Sequence, residues 1–158
     1  MTETNIEFPL MQSRRVNVYC DTGGFRKELQ RLEREGRVRV ITFPYENEIT
    51  KATVGIPSEA TFDDLNNFTI ERLPGTFDDY KRSDKYGEIE KIVGRKNRRD
   101  VLHLDSAFKS GCTVFLTNDV RDILSHRQSL EPILNMRLFN SAKEWRQFLS
   151  YIVENRDE

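Results

Sequence analysis

The feature that most constrains the fold is a hydrophobic period that switches back and forth along the chain. Val16-Asn-Val-Tyr-Cys20 is a short apolar run of strand length, and Phe25, Leu29 and Leu32 follow at helical spacing before Gly36, so a helix is expected over 24–35. Val38-Arg-Val-Ile-Thr-Phe43 alternates as a second strand closed by Pro44, and Glu46 to Ala52 can open a short helix. Further on, Asp100 is expected to cap a helix with Val101, Leu104 and Phe108 as its buried stripe, ended by Gly111. Thr113 to Thr117 reads as a buried strand, 120–125 as a short helix and Asn135 to Phe139 as a last strand. Ser141-Ala-Lys-Glu144 has the pattern of a capping box for a helix with Trp145, Phe148, Leu149 and Ile152 inward. Strands alternating with helices imply a parallel sheet covered on both faces. The expectation is a three-layer α/β/α fold with four to five parallel strands.

The 158 residues suit one domain, with a polar insertion at about 53–99 marked by Pro57, Pro74 and Gly75 and expected to carry short helices. Within it Thr61-Phe-Asp-Asp echoes Thr76-Phe-Asp-Asp, which is also an ordinary helix start. The 25 basic and 26 acidic side chains nearly cancel, so a nucleic-acid partner has to be argued from local clusters. No apolar run approaches bilayer length and the first residues lack a basic-then-apolar pattern, which predicts a cytoplasmic protein without a membrane partner. Cys20 and Cys112 adjoin strand-like segments as small buried hydrophobes and form no disulfide framework.

In an open parallel sheet, ligands bind beyond the carboxyl ends of the strands, where loops and helix N-termini gather. Asp21 follows the first strand, Glu46 and Glu48 the second and Asp119 the third, while Asp100 opens the helix that leads into the third. Taken singly, each has a plainer reading: Asp21 as a turn residue, Asp100 and Asp119 as helix caps, the glutamates as solvated surface. Taken together, crowded carboxylates repel, a cost relieved by a hard divalent cation. Oxygen donors suit Mg²⁺ or Mn²⁺, and the scattered histidines and cysteines offer no zinc spacing. Such ions serve phosphoryl transfer, so a phosphodiester is the natural substrate.

Val-Asn-Val-Tyr-Cys-Asp21-Thr resembles the opening strand and first acid of PIN domains. Asp100-Val-Leu-His-Leu-Asp-Ser-Ala-Phe-Lys-Ser-Gly-Cys-Thr-Val-Phe-Leu-Thr-Asn-Asp119 resembles their later acidic motifs: an acid opening a helix with a small residue, here Ala107, then a Gly and a strand ending in Thr-x-Asp. The resemblance implies an Mg²⁺- or Mn²⁺-dependent endoribonuclease in which Asp21, Asp100 and Asp119 are catalytic metal ligands. A glutamate after the second strand would complete the set: Glu48-Ile49 is similar to the family's Glu-apolar pair and is preferred, while Glu46 lies nearer the strand end and stays as the alternate. VapC-type toxins typify the family, implying RNA as substrate and an antitoxin protein as partner. The stretch 53–99 departs from the family's compact helical pair, and could serve as an antitoxin site or a homodimer face.

Asp105, five residues after Asp100 and turned off its face, reads as auxiliary or surface. Asn118 could orient a water or a phosphate, or serve only as a turn residue. The run Arg95-Lys96-Asn-Arg98-Arg99 precedes Asp100 and would set a basic patch beside the metal, where a phosphate backbone approaches; a solvated loop is its plainer reading. Arg14-Arg15 and Arg26-Lys27 read as ordinary surface. Tyr80 and Tyr86 could stack on bases or pack, and Trp145 reads as core. No nucleophile or acid stands at a telling spacing from His103 or His126, so neither is assigned to catalysis. Asp21-Thr-Gly superficially resembles a retroviral-type aspartic protease, an all-strand fold that the helix after it excludes. A phosphoaspartyl phosphatase would need an acid where Gly23 stands. The alternative from another class is a PIN-like module that binds nucleic acid or a protein without cutting.

Overall fold

In the computed structural model, which describes residues 15–45, 52–59 and 75–156, five parallel strands carry the fold. They are β1 (Val16–Cys20), β2 (Val38–Thr42), β3 (Thr53–Val54), β4 (Val114–Thr117) and β5 (Arg137–Asn140), in the order β3-β2-β1-β4-β5. The helices are α1 (Glu28–Arg34), α2 (Tyr86–Val93), α3 (Arg98–Lys109), α4 (Arg127–Leu134) and α5 (Trp145–Arg156), with short 3₁₀ turns at Phe77–Tyr80, Arg95–Asn97 and Leu124–His126. Among the described residues, no helix is long and apolar enough to cross a membrane.

Period-two alternation sorts each strand's side chains between two cores. Val16, Val18 and Cys20 of β1, with Val114 and Leu116 of β4, pack against Leu29 and Leu32 of α1 and Phe148 and Ile152 of α5. Tyr19 and Phe115 point the other way, into a core closed by α2, α3 and α4. Their rings stack at 5.3 Å between centroids. Tyr19, Phe115, Leu102 and Leu104 are fully buried, and each such side chain contributes about 1.5–3 kcal/mol. The expected three-layer α/β/α architecture is what forms.

Register fixes which residues meet at the sheet's upper edge. Val18 pairs with Val114 and Cys20 with Leu116, so β1 and β4 end side by side. From β1 the chain moves outward through β2 to β3, then returns to β4 and moves outward the other way to β5. The carboxyl ends of β1 and β4 therefore flank the point where strand order reverses, the usual ligand crevice of such a sheet. Gly24 closes the turn after β1 against β4. A Cβ there would lie 2.0 Å from the Leu116 carbonyl oxygen, so only glycine fits.

Several local expectations are corrected. The first helix begins at Glu28, later than expected, and Asp100 is the third residue of α3 rather than its cap. No α-helix spans 120–125; turns lead to a 3₁₀ turn and then to α4, because Asp119 and Val120 carbonyls accept from the N–H groups of Leu124 and Ser125. The side-chain bonds expected of a cap at Ser141 form instead from Asn140 and span the turn that precedes α5: Asn140 Oδ1 accepts from the N–H groups of Ala142 and Lys143, and Glu144 Oε1 from the Asn140 N–H. Ser141 Oγ, expected to cap, is buried without a partner.

Between 53 and 99 the described parts include a strand as well as helices. β3 pairs with β2, and α2 buries Tyr86, Ile89 and Val93 in the core beside α3. Tyr86 is thus a core residue, with the Arg82 guanidinium 4.4 Å from its ring, and half-buried Tyr80 packs on the same core. Thr76 opens its 3₁₀ turn as an ordinary start, its N–H donating to Asp79 Oδ2 at 2.7 Å. Lys109 Nζ gathers the carbonyls of Pro57, Asp79 and Lys81. Trp145 lies half-buried under the Arg26 guanidinium, which also donates to the Ser141 carbonyl and so is more than plain surface.

Candidate metal centre

Three carboxylates close over the crevice. Ligand oxygens of Asp100, Asp119 and Asp122 all lie within 4.8 Å of one another, each from a half-buried side chain. Oxygens on opposite sides of one cation at ordinary Mg²⁺–O or Ca²⁺–O lengths are about 4–5 Å apart, so these three residues could hold a metal ion. Different elements deliver them. Asp100 projects from the first turn of α3, whose path into β4 brings its N-terminus to the sheet's upper edge. Asp119 follows β4, and its Oδ1 accepts the Asp122 N–H at 2.8 Å, which folds Asp122 back beside it.

Asp21 lines the same cleft of about 220 Å³ together with Asp100 and Asp119. It is 8% exposed, and its two carboxylate oxygens differ. Oδ2 accepts from the Thr117 hydroxyl at 2.5 Å, whereas Oδ1 is buried without a hydrogen-bond partner. Thr117 Oγ1 in turn accepts the Asp119 N–H at 3.0 Å, so one hydroxyl ties the two acid-bearing turns. A buried, unpartnered carboxylate oxygen is costly unless something cationic or protic meets it.

The electrostatics agree with that crowding. Burial raises Asp21 to about 6, against the Thr117 hydrogen bond, with Asp119 pushing it further; the nearby N–H groups of Gly23 and Gly24 pull it down without bonding Oδ1. Burial raises Asp100 to about 7, followed by the charges of Asp119, Asp21 and Asp122, with Arg99 opposing. Four carboxylates therefore share one field, and a divalent cation is the simplest group that offsets their mutual repulsion. The donor set is all oxygen, which suits a hard cation.

The remaining candidates separate. Glu46 and Glu48 lie outside the described residues. Asp122 had not been singled out in the sequence; its signal is the spacing Asp119-x-x-Asp122 after a strand. Asp105, expected to be auxiliary or surface, is fully buried away from the acids: Ser58 Oγ, Ser83 Oγ and Ser83 N–H all donate to it, clamping α3 to two distant segments. Asn118 staples the crevice's rim, its Nδ2 donating to the Gly23 carbonyl and its Oδ1 accepting the Ala142 N–H. Of the basic run, Arg99 lines the cleft. Arg95 is well exposed and pairs with Glu90 at 3.9 Å, Lys96 is exposed on the same 3₁₀ turn, and Arg98 is half-buried at the start of α3.

His103 also lines the cleft, although nothing in the sequence marked it. Its ring is 4% exposed, and burial together with the Arg99 charge lowers it to about 3, so the imidazole is neutral near pH 7. No family model, no curated protein and no solved structure matches this chain.

Proposed function

We propose that this chain is a metal-dependent nuclease of PIN-like type, hydrolysing phosphodiester bonds in RNA with Mg²⁺ or Mn²⁺. The observation that carries the reading is the meeting of Asp100, Asp119 and Asp122 oxygens beside the buried, unpartnered Oδ1 of Asp21. The order of acids supports the PIN-like part: one after β1, one in the first turn of the helix entering β4, one after β4 in Thr117-Asn-Asp119.

In this reading Asp100, Asp119 and Asp122 would hold the cation, and Asp21, outside that trio but on the same cleft, would add its charge to the site. The bound metal would acidify a water and neutralise charge on the attacked phosphate. The chain's own part is positional. Thr117 fixes the Asp21 carboxylate, the Asp122 N–H fixes Asp119, and Gly24 brings the β1 turn against β4 so that the acids converge. Arg99, on the cleft wall, offsets the acids' repulsion of a phosphate backbone.

The test is cleavage of a labelled single-stranded RNA with Mn²⁺ or Mg²⁺, by the wild-type chain and by Asp119→Asn. Metal-dependent cleavage lost in the variant is the expected result. Cleavage that persists in Asp119→Asn or in excess chelator removes the mechanism, and metal-independent RNA binding without cutting points to the binding module.

A further inference from the structure

The cleft has two chemically different walls. Asp21, Asp100 and Asp119 are acceptors, whereas Arg99 and His103 stand one helical turn apart on α3. What His103 can offer depends on which ring nitrogen holds its hydrogen, and its neighbours settle that.

Nδ1 lies 2.8 Å from the Tyr19 phenol oxygen. That oxygen also accepts the backbone N–H of Phe43 at 3.1 Å. A phenol has one hydrogen to give, and a fully buried phenol that leaves it without an acceptor destabilises the fold. Among the described residues the phenol meets hydrogen-bond geometry with the Phe43 N–H, which it accepts, and with His103 Nδ1, its one acceptor of that geometry; Ser106 lies close enough to act on the phenol but makes no bond of that geometry with it. The phenol therefore donates to Nδ1, and the imidazole hydrogen sits on Nε2. Among the described residues no acceptor takes that Nε2 hydrogen. Edge contacts from Tyr19 and Tyr45, at 5.7 and 5.2 Å between centroids, hold the ring's plane.

We propose that His103 binds a non-bridging oxygen of the substrate phosphate through Nε2–H, in a tautomer that Tyr19 enforces. The inference deepens the nuclease reading and rests on it. An anionic oxygen is the partner that fits, because His103 and Arg99 line the same cleft as the acids, so a phosphate there would meet donors as well as a cation. With Nδ1 engaged and Nε2 protonated, the ring has no lone pair for a proton. It holds phosphate and does not act as a base. Tyr19 is then a positioning residue, acting only through His103.

The experiment uses the full chain, Mn²⁺ and uridine 5′-monophosphate as the phosphate probe. Nitrogen NMR of ¹⁵N-histidine protein with Mg²⁺ is expected to show His103 as the Nε2–H tautomer, with that resonance moving as the nucleotide is added. Calorimetry is expected to give about tenfold weaker nucleotide binding in His103→Phe, most of it restored in His103→Gln, with Mn²⁺ affinity unchanged in both. Tyr19→Phe should release the tautomer and weaken the nucleotide without touching Mn²⁺. An Nδ1–H tautomer, or wild-type nucleotide affinity in His103→Phe with Mn²⁺ still bound, overturns the inference alone. Absence of Mn²⁺ binding by the wild-type chain overturns the nuclease reading and this role with it.

Discussion

The Thr117 hydroxyl donates to Asp21 Oδ2 at 2.5 Å while accepting the Asp119 N–H at 3.0 Å, so one oxygen couples the ends of β1 and β4. Thr117→Val keeps the shape and removes both bonds. It strands a buried carboxylate oxygen and an amide, and should cost about 2 kcal/mol in denaturant unfolding. The same change loosens Asp21 and should weaken Mn²⁺ binding. Wild-type stability and Mn²⁺ affinity in Thr117→Val would show that the hydroxyl is dispensable.

Asp21→Asn should separate stability from function. The carboxylate is held in a buried site with one oxygen unpartnered, which costs the metal-free fold. The amide carries no charge, so in excess chelator the variant should unfold at a higher temperature than wild type. It should also lose metal-dependent cleavage and gain less thermal stability from Mn²⁺. Scanning calorimetry with and without Mn²⁺ checks the stability half, and the RNA-cleavage assay checks the other.

The pH dependence has a definite sign. Asp21 at about 6 and Asp100 at about 7 both stand above the ordinary 3.8. Between about pH 4 and pH 7 the unfolded chain ionises these groups first and holds fewer protons than the folded one, so their contribution falls as pH rises. Asp21 alone accounts for a loss of about 3 kcal/mol across its window, at about 1.4 kcal/mol per pH unit. Asp100, more open to water, adds less. The advantage of Asp21→Asn over wild type in chelator should therefore grow from about pH 4 to pH 7. Mn²⁺ requires the ionised acids and should bind more tightly as pH rises through the same range. Stabilisation by Mn²⁺ that is equal at about pH 5 and pH 7.5 would refute the assignment.

What the sequence shows of this site follows from which forces are local. Strand spans and the two-faced sheet were legible because the alternation in Val16–Cys20 and Val38–Thr42 is a local pattern. The convergence of Asp100 and Asp119 was legible from strand ends and a resemblance. Asp122 was not, because a turn and the Asp119–Asp122 hydrogen bond bring it round where a helix was expected. Asp105 was placed off the Asp100 face but read as auxiliary or surface rather than buried, since Ser58 and Ser83 come from segments far along the chain. The basic run marks charge, yet only the register of α3 decides that Arg99 reaches the cleft. The tautomer of His103 depends on Tyr19 of β1 and on Phe43 just after β2, both far along the chain from it, and has no signature of its own.

Asp122 and Asp105 give opposite outcomes from the same substitution. Asp122 has a ligand oxygen within 4.8 Å of those of Asp100 and Asp119, is half-buried, and its own N–H bond to Asp119 survives a change of side chain. Asp122→Asn should keep the fold, weaken Mn²⁺ by about tenfold or more, and slow RNA cleavage in proportion at limiting metal. Asp105 instead accepts from two serine hydroxyls and one amide in a fully buried site. Asp105→Asn turns an amide NH₂ toward donors in a buried site, so it should cost about 2 kcal/mol in urea unfolding. Its Mn²⁺ affinity, measured where the variant is folded, should match wild type. If Asp105→Asn weakened Mn²⁺ while Asp122→Asn did not, the metal would have to be held by a different set of acids.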